Sequence, residues 1–289
     1  MHWPHSNVWT TWTGFRRSSS ERSVLTLNLW GMGGEWRDRR AVLREGIGRL
    51  KPDLIAFQEA VKSAEDDTVA ELVAPGYRVV HQTMGLLGDG NGAAIASRWP
   101  VGEVRELDQQ LTERTADFPA TTLLAEIGAP HPVGPLLFVS HLPSWKPQLE
   151  LERELQTLAA VRAVEELVAE RPMHVVLAGD LDAEPEAASI RFLRGLQSLG
   201  GISVCYRDAW ATTHPEEPGD TFTTRNPLVL EDSEVRQEVS RRIDYVLVRC
   251  DELGPTLEIA ACDLALAEPV GEMWASDHFG VVADLLVPS

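Results

Sequence analysis

The sequence predicts an α/β protein whose core is built from strands of both orientations. Three observations lead to this prediction. Apolar strand-like runs alternate with a helical segment over residues 23–59, strand candidates follow one another without helices over 101–141, and a long amphipathic segment at 147–170 precedes another apolar run. Alternation is typical of parallel βαβ units, whereas uninterrupted strands favour antiparallel pairing. We therefore expect central, mostly antiparallel sheets with flanking helices.

The composition indicates one globular domain with a substantial core. The chain has 289 residues, of which 44% are hydrophobic, and no linker divides it. With 44 acidic and 26 basic residues, the formal charge is −18. Such a field repels polyanions, so a general nucleic-acid surface is disfavoured. Local basic patches stay open, and nucleic acid is kept as an alternative partner.

Residues 1–22 are predicted to be an N-terminal extension to a folded domain that spans 23–289. The extension carries three tryptophans but lacks the apolar region of a secretory signal. The chain contains no run approaching the ~20 apolar residues that span a bilayer. The three cysteines (Cys205, Cys250 and Cys262) have no CxxC spacing, which suggests neither a disulfide framework nor a cysteine zinc site. We expect a cytoplasmic monomer.

The first half of the chain begins with a β-rich run from Ser23 to Trp30, closed by glycines. Residues 36–50 have helical apolar spacing that ends before Pro52, and the apolar run 53–59 ends on a carboxylate. A short helix is predicted near 65–73, followed by a strand at 77–80, a glycine-rich loop at 85–92 and a strand at 93–98.

The second half supplies the remaining strands. Strands are predicted at 101–107, 121–127, 135–141, 174–180, 241–248, 256–263 and 278–287, with helices at 147–170 and near 186–199. The segment 211–238 is rich in Pro, Glu, Thr and Asp and is predicted to be a long functional loop or a set of short turns.

Polar residues recur at the ends of these strands. Asp180 and Asp182 follow a buried run, and strand alternation would point both carboxylates to one face. Taken alone, this stretch could equally be a strand-end turn held by local hydrogen bonds. The full set is Asn28, Glu59, His141, Asp180, Asp182, Asp244, Asp277 and His278. Oxygen donors without cysteine suit Mg²⁺ or Mn²⁺, so the set predicts a metal site for a phosphorylated substrate.

The chain resembles the endonuclease/exonuclease/phosphatase (DNase I-like) superfamily. The segments that carry the resemblance come in the family's order over residues 23–287: Leu27-Asn28-Leu29-Trp30, Phe57-Gln58-Glu59, Ala94-Ile95-Ala96-Ser97-Arg98, Ser140-His141-Leu142, Gly179-Asp180-Leu181-Asp182, Arg242-Ile243-Asp244-Tyr245-Val246 and Ser276-Asp277-His278. The resemblance implies a four-layer α/β/β/α sandwich with the site at one rim of the two central sheets.

The resemblance also implies a role for each site residue. Glu59 would be the main Mg²⁺ ligand, with help from Asn28 and Asp277. Asp180 would activate the attacking water, and His278, backed by Asp244, would be the partner acid or base. The phosphoryl group would be contacted by His141, Arg98 and Asn28, although Arg98 could equally be a turn residue before Trp99-Pro100.

One position departs from the family pattern. The family usually has Asn where this chain has Asp182. An amide can donate to a phosphoryl oxygen, whereas a carboxylate ion cannot. Asp182 would then bind a second cation, be protonated by its neighbours, or signal a changed reaction, and it is kept among the catalytic candidates.

The sequence thus predicts a Mg²⁺-dependent phosphoesterase. Its substrate is expected to be a small or lipid-like phosphodiester or phosphomonoester, because the chain is acidic. A metal-dependent nuclease is the enzymatic alternative, and a binding protein that keeps the fold without turnover is the other.

Overall fold

A computed structural model describes residues 22–231 and 240–288. The strands are β1 (Arg22–Asn28), β2 (Leu54–Val61), β3 (Arg78–His81), β4 (Asn91–Ser97), β5 (Val101–Asp108), β6 (Thr121–Gly128), β7 (Pro135–Leu142), β8 (His174–Asp180), β9 (Tyr206–Asp208), β10 (Asp244–Arg249), β11 (Glu258–Ala265) and β12 (Gly280–Leu286). The helices are α1 (Trp36–Leu50), α2 (Thr68–Leu72), α3 (Glu150–Glu170), α4 (Ala188–Leu193), α5 (Ala209–Thr213) and α6 (Leu228–Glu231).

The strands form two six-stranded mixed sheets. The first has the order β11-β12-β1-β2-β4-β3, and the second has the order β5-β6-β7-β8-β10-β9. The β1–β2 and β7–β8 pairs are parallel, and the other pairings between these strands are antiparallel. The predicted class, an α/β fold with mostly antiparallel sheets, is confirmed.

Side-chain alternation along the strands produces three apolar layers. Between the sheets, Leu54 and Ile95 of the first pack with Phe138 of the second. On the outer face of the first sheet, α1 covers it with residues such as Leu43. Helix α3 covers the outer face of the second sheet with residues such as Val161. The central strands are thus buried on two faces, whereas the edge strands β3, β5 and β11 are partly exposed. This layering is the four-layer α/β/β/α sandwich.

The predicted elements occur close to their expected places, and the differences concern short elements. Helices α5 and α6 were not predicted. Strand β9 was not predicted, because three residues at a sheet edge are too short to show periodicity. The predicted helix 186–199 shortens to α4, since Gly195 follows with a positive φ of 76°. Of the predicted loop 211–238, residues 232–238 lie outside the described residues, as does the predicted extension except for Arg22.

The two sheets meet where the site is built. Parallel pairing brings the ends of β1 and β2 to one rim of the first sheet. In the second sheet, the end of β8 lies beside the start of β10, because these strands run antiparallel. The two sheets face each other through β1, β8, β10 and β12. The polar strand ends of both sheets therefore converge on the same rim.

Candidate active site

A buried cluster of two carboxylates and one imidazole lies at this rim. Asp180 and Asp244 stand directly opposite each other in the β8–β10 ladder. His278 precedes β12, and its Nδ1 lies 3.0 Å from Asp244 Oδ2, while its Nε2 lies 3.7 Å from Asp180 Oδ2. Like charges opposed across a ladder repel unless a cation lies between them. The His278 ring occupies that position.

The imidazole of His278 favours its charged form. Burial by itself lowers the pKa of His278, but the carboxylates of Asp244 and Asp180 outweigh it and raise the pKa well above its usual value. The Phe222 ring lies 4.9 Å from the imidazole. The Thr221 hydroxyl oxygen accepts the Asp244 N–H at 3.2 Å. These contacts fix the Asp244–His278 pair, here called the dyad, in one orientation.

Asn28 joins this cluster to the first sheet. Its amide nitrogen donates to Glu59 Oε1 at 2.9 Å and to Asp180 Oδ2 at 3.0 Å. Its amide oxygen accepts the Trp30 N–H at 2.9 Å, which sets the orientation of the amide. In this arrangement Asn28 presents donors to both carboxylates, and its oxygen is turned to the backbone.

Glu59 lies within β2 rather than at its end. The register between β2 and β4 shifts between Phe57 and Ala60, and Glu59 has a φ of 51° at this bulge. The bulge re-aims the side chain toward the rim. Burial, followed by the like charge of Asp277, raises the pKa of Glu59 to about 7. A bound cation would relieve this repulsion.

The segment that carries Asp277 is held by two residues outside the predicted site set: Ser276, which the sequence indicated only as part of a motif, and Asn226, which it did not indicate. The Ser276 hydroxyl lies 2.8 Å from the Asn28 carbonyl oxygen and 3.1 Å from Asp277 Oδ1. The buried amide of Asn226 donates to the Ser276 and Asp277 carbonyls at 2.7 and 3.1 Å. These bonds dock the loop before β12 onto the end of β1.

Arg39 is a further residue that the sequence indicated only as part of a helix face. It is fully buried, and it donates to the carbonyls of Leu29, Gly33 and Ala275. Burial lowers the pKa of Arg39 to about 10, while Asp277 and Glu59 act in the opposite direction. A fixed positive charge therefore lies beside the two carboxylates.

The donor set fits a hard divalent cation. Glu59 and Asp277 are carboxylates close enough to raise each other's cost of ionisation, and such oxygen donors suit Mg²⁺ or Mn²⁺. Asp180, Asp244 and His278 also offer atoms within 4.8 Å of one another. In that second group the imidazolium already offsets part of the carboxylate charge, so the carboxylates of Glu59 and Asp277 are better suited to a cation.

Asp182 lies beyond the end of the strand. Strand β8 ends at Asp180, so strand alternation does not place the Asp182 side chain, contrary to expectation. Its φ is 49°, and its N–H donates to Asp180 Oδ1 at 3.1 Å. Burial and the neighbouring Asp180 raise the pKa of Asp182 well above its usual value, although Arg153 and Arg241 oppose them.

The structure does not bring His141 into this cluster. The residue is fully buried, with Nδ1 2.7 Å from the Thr122 hydroxyl and Nε2 3.5 Å from the Thr157 hydroxyl of α3. Burial lowers the pKa of His141 to about 3, so the ring is neutral. Its predicted contact with a phosphoryl oxygen is not present in this arrangement.

Arg98 is also not brought to the site. Ser97 pairs with Leu54 at the start of β2, five residues before Glu59 and therefore about 17 Å from it. The guanidinium of Arg98 lies 3.4 Å from Asp53 Oδ1. This is the opposite end of the first sheet, where the residue serves a surface ion pair.

A DNase I-like sandwich with an acidic, imidazole-containing rim defines a class of enzyme: the protein is a metal-dependent phosphoric ester hydrolase. The sequence pattern of the endonuclease/exonuclease/phosphatase family matches residues 25–278. The chain belongs to this family, as its motifs indicated. A comparison with curated proteins found no match.

Solved structures share the fold at low sequence identity. Truncated Caenorhabditis elegans TDP2 is 17% identical with a TM-score of 0.71, covering 92% of this chain and 98% of that one. D. rerio TDP2, complexed with single-strand DNA product, is 20% identical with a TM-score of 0.70, covering 92% and 99%. The human nocturnin catalytic domain with bound sulfate is 16% identical with a TM-score of 0.68, covering 93% and 94%.

Within the residues that the structure describes, none of the helices has the length and apolar character needed to cross a bilayer.

Proposed function

We propose that the protein is a Mg²⁺- or Mn²⁺-dependent phosphoesterase that hydrolyses a phosphodiester or phosphomonoester of a small or lipid-like compound. The observation that carries the proposal is the position of His278 between Asp244 and Asp180, at the same rim as the Glu59 and Asp277 carboxylates. We expect the enzyme to act as a cytoplasmic monomer.

Glu59 and Asp277 would hold the cation. When bound there, it would stabilise negative charge on the phosphoryl group and the leaving oxygen. Asn28, predicted as a ligand and a substrate contact, would instead orient Glu59 and Asp180 through its amide nitrogen. The bulge at Glu59 and the docking of Asp277 by Ser276 support the same geometry.

Asp180 would accept the proton of the attacking water. Burial and the like charge of Asp244 raise the pKa of Asp180 to about 6, close to the pH at which a general base works best. The His278 imidazolium would donate from Nε2 to the phosphoryl group or the leaving oxygen. Asp244 would hold the proton on Nδ1 and keep the ring oriented.

Arg241 is our candidate for the cationic substrate contact in place of Arg98. Its guanidinium carbon lies 5.2 Å from the centre of the Phe222 ring, and that ring lies 4.9 Å from the His278 ring at an interplanar angle of 53°. Its Nε is buried without a hydrogen-bond partner in the part of the chain that the structure describes. A guanidinium whose Nε is unpaired and which lies near the Asp244–His278 pair suits phosphate oxygens.

The rim loops support a small or lipid-like substrate. The loop before β4 ends at Asn91 and Gly92, which pair with Val61 and Ala60 beside Glu59. This loop exposes the large apolar side chains of Met84, Leu86 and Leu87, and Leu86 lies beside Gly92. An apolar rim favours a substrate with an alkyl or aryl group, and the net charge of −18 disfavours long polyanions.

A nuclease is the second candidate, because one surface is locally basic. Helix α1 carries Arg37, Arg40 and Arg44 in a stripe with a shallow groove, and α1 begins close to the rim. Of the similar structures, D. rerio TDP2 was solved with a single-strand DNA product. Phosphate contacts along the stripe would make binding of a nucleic acid strongly salt-dependent.

One substrate screen tests both candidates. Wild type and His278→Ala would be incubated with Mg²⁺, Mn²⁺ or EDTA and with p-nitrophenyl phosphate, bis(p-nitrophenyl) phosphate, lysophospholipid and single-stranded DNA. We expect metal-dependent hydrolysis of a small ester that EDTA and the substitution abolish. Cleavage of DNA alone would favour the nuclease, and no turnover of any substrate would overturn both proposals.

A further inference from the structure

Two of the three cysteines lie side by side at an edge of the second sheet. Strands β9 and β10 pair with Tyr206 opposite Arg249, so Cys205 and Cys250 face each other one position further on. The Cys250 N–H donates to the Cys205 carbonyl at 2.8 Å. Directly opposed residues of an antiparallel pair have Cα atoms about 4.5–5.5 Å apart, within the ~4.4–6.8 Å range of a disulfide.

The two thiols differ in accessibility. Both are free, with Cys205 exposed and Cys250 partly buried. Burial, and then the hydrogen bond with the Cys205 thiol, raise the pKa of Cys250 to about 11. Cys205 is therefore the thiol that a dissolved reagent meets first, and Cys250 is the neighbour that can resolve the product. Cys262 is buried in β11 of the other sheet.

The surroundings of Cys205 favour an anionic reagent. The residue lines a surface cleft of about 900 Å³ together with two basic residues, Arg194 and Arg207, and two acidic ones, Glu258 and Asp208. Asp208 is already paired with Arg242. Two guanidinium groups beside an exposed thiol raise the local concentration of anions. Cys250 lies six residues after Asp244, about 20 Å along β10 from the catalytic rim. The cleft is thus separate from the active site.

We propose that Cys205 and Cys250 form a reversible dithiol–disulfide site whose oxidant is an anionic low-molecular-weight disulfide of the glutathione type. The Cys205 sulfur attacks one oxidant sulfur, which forms a mixed disulfide and releases one thiol. The Cys250 sulfur then attacks the Cys205 sulfur, which closes the protein disulfide and releases the second thiol. The protein loses two hydrogens, and the oxidant gains them.

The position of β9 at the edge of the second sheet makes formation of the Cys205–Cys250 disulfide feasible. Opposed Cβ atoms in a ladder lie about 4.5–5.5 Å apart, and a disulfide needs about 3.5–4.5 Å. Cys205 and Cys250 form a hydrogen-bonded pair, which lies at the wide end of that range, so the strands must approach by about 1–2 Å. Strand β9 has three residues and one neighbouring strand, so we expect it to make this movement. The bond would join the residue before β9 to the residue after β10.

The test is oxidation of the folded protein with glutathione disulfide, followed by alkylation, unfolding and mass spectrometry. We expect wild type to lose two of its three alkylatable thiols and to yield a cross-linked peptide pair that contains Cys205 and Cys250. Cys262→Ser should form the same cross-link. Cys250→Ser should retain glutathione on Cys205, and Cys205→Ser should show no cross-link. Circular dichroism checks that each variant is folded.

Two results would overturn the proposal. Wild type that keeps three free thiols has no reactive pair, and wild type that keeps glutathione on Cys205 has no resolving partner. The role of the cleft is tested with Arg207→Gln. This variant should react several-fold more slowly with glutathione disulfide and at the wild-type rate with the neutral bis(2-hydroxyethyl) disulfide. If the variant reacts more slowly with both reagents to the same extent, the proposed preference of the cleft for an anionic reagent is wrong.

Discussion

Asp244 Oδ2 lies 3.0 Å from Nδ1 of His278, and both side chains are buried. The other oxygen of Asp244 is buried without a hydrogen-bond partner among the described residues. The carboxylate is therefore committed to the imidazole. Such a pair fixes the tautomer and orientation of the ring and favours its protonated form.

The dyad predicts that loss of either member damages turnover. We expect His278→Ala to lower kcat by roughly 10² or more, the usual scale for a positioned acid or base. Asp244→Asn should give a related loss, because the ring loses its anionic partner. Steady-state kinetics of both variants and the double variant are the measurement. A double variant no worse than the worse single supports one unit, whereas multiplicative losses would separate the two residues.

Metal affinity should depend on the protonation of Glu59. The pKa of Glu59 is raised to about 7, so the carboxyl is protonated below that pH and must lose its proton to bind a cation. We expect the apparent Mg²⁺ affinity to rise with pH through about 7 and then to level off. Calorimetric titration at several pH values, in buffers of different ionisation enthalpy, measures the affinity and the released protons.

Glu59→Gln is the matching variant, and Glu65→Gln is its exposed control. Glu59→Gln should lower the Mg²⁺ affinity by roughly 10²-fold or more, since even residues that only support a ligand contribute 10–100-fold. A raised pKa in the folded state also means that metal-free stability is lost as the pH rises from about 4.5 through 7. This loss should be smaller in Glu59→Gln. If Glu59→Gln binds Mg²⁺ with the wild-type affinity, Glu59 is not a metal ligand.

Asp182→Asn tests the departure from the family pattern. The position has a φ of 49°, which Asn adopts as readily as Asp, so the fold should be kept. We expect phosphodiesterase activity to rise by roughly 10-fold, the scale of one added hydrogen bond. Any second-metal requirement should weaken as a carboxylate is removed. Lower activity would assign the carboxylate a reaction of its own, and unchanged kinetics would make the position a bystander.

Arg241→Ala should weaken substrate binding more than it slows turnover. We expect KM to rise by roughly 10-fold, because one charge-assisted hydrogen bond contributes about 1.5–3 kcal/mol. Arg225→Ala is the matched control, since its guanidinium stacks on Phe279 at 4.9 Å and donates to the Ala267 carbonyl. Equal KM values for Arg241→Ala and wild type would contradict the assignment of Arg241 as a substrate contact.

Gly179→Ala should destabilise the rim. A Cβ at Gly179 would collide with the His141 carbonyl oxygen of the neighbouring strand, and both backbones belong to the central sheet. We expect a loss of about 2–4 kcal/mol in the free energy of unfolding. Gly48→Ala is the control: it lies in α1 with open space around it and should stabilise the helix by about 0.5–1 kcal/mol. Chemical denaturation compares the two, and equal effects would contradict the predicted collision.

The fold was predictable because its elements are long and locally patterned. Helix α1 follows from the spacing of Val42, Leu43 and Ile47, which are buried as that spacing requires. The polar residues at two strand ends were likewise visible, since Asp180 follows an apolar run and Asp244 precedes one. Their meeting at one rim depends on strand order, which the family resemblance supplied and local patterns do not.

The residues misplaced or missed depend on tertiary structure. Arg98 follows a strand, but β4 runs antiparallel to β2, so its end lies at the rim opposite Glu59. His141 is near the correct rim, yet its ring contacts Thr157 of α3, on the outer face of the sheet. Arg39 appeared as one more residue of a helix face. Its electrostatic interaction with Glu59 and Asp277 arises only when α1 packs beneath the loop before β12.

Arg39 has a consequence for how the protein exists in a cell. Because one guanidinium is permanently built in beside Glu59 and Asp277, part of their repulsion is already cancelled before any ion arrives. We therefore expect the chain to fold without the cation, which would bind as an exchangeable reagent rather than as a structural component. Occupancy, and with it the working fraction of the enzyme, would then follow the free magnesium or manganese level around it.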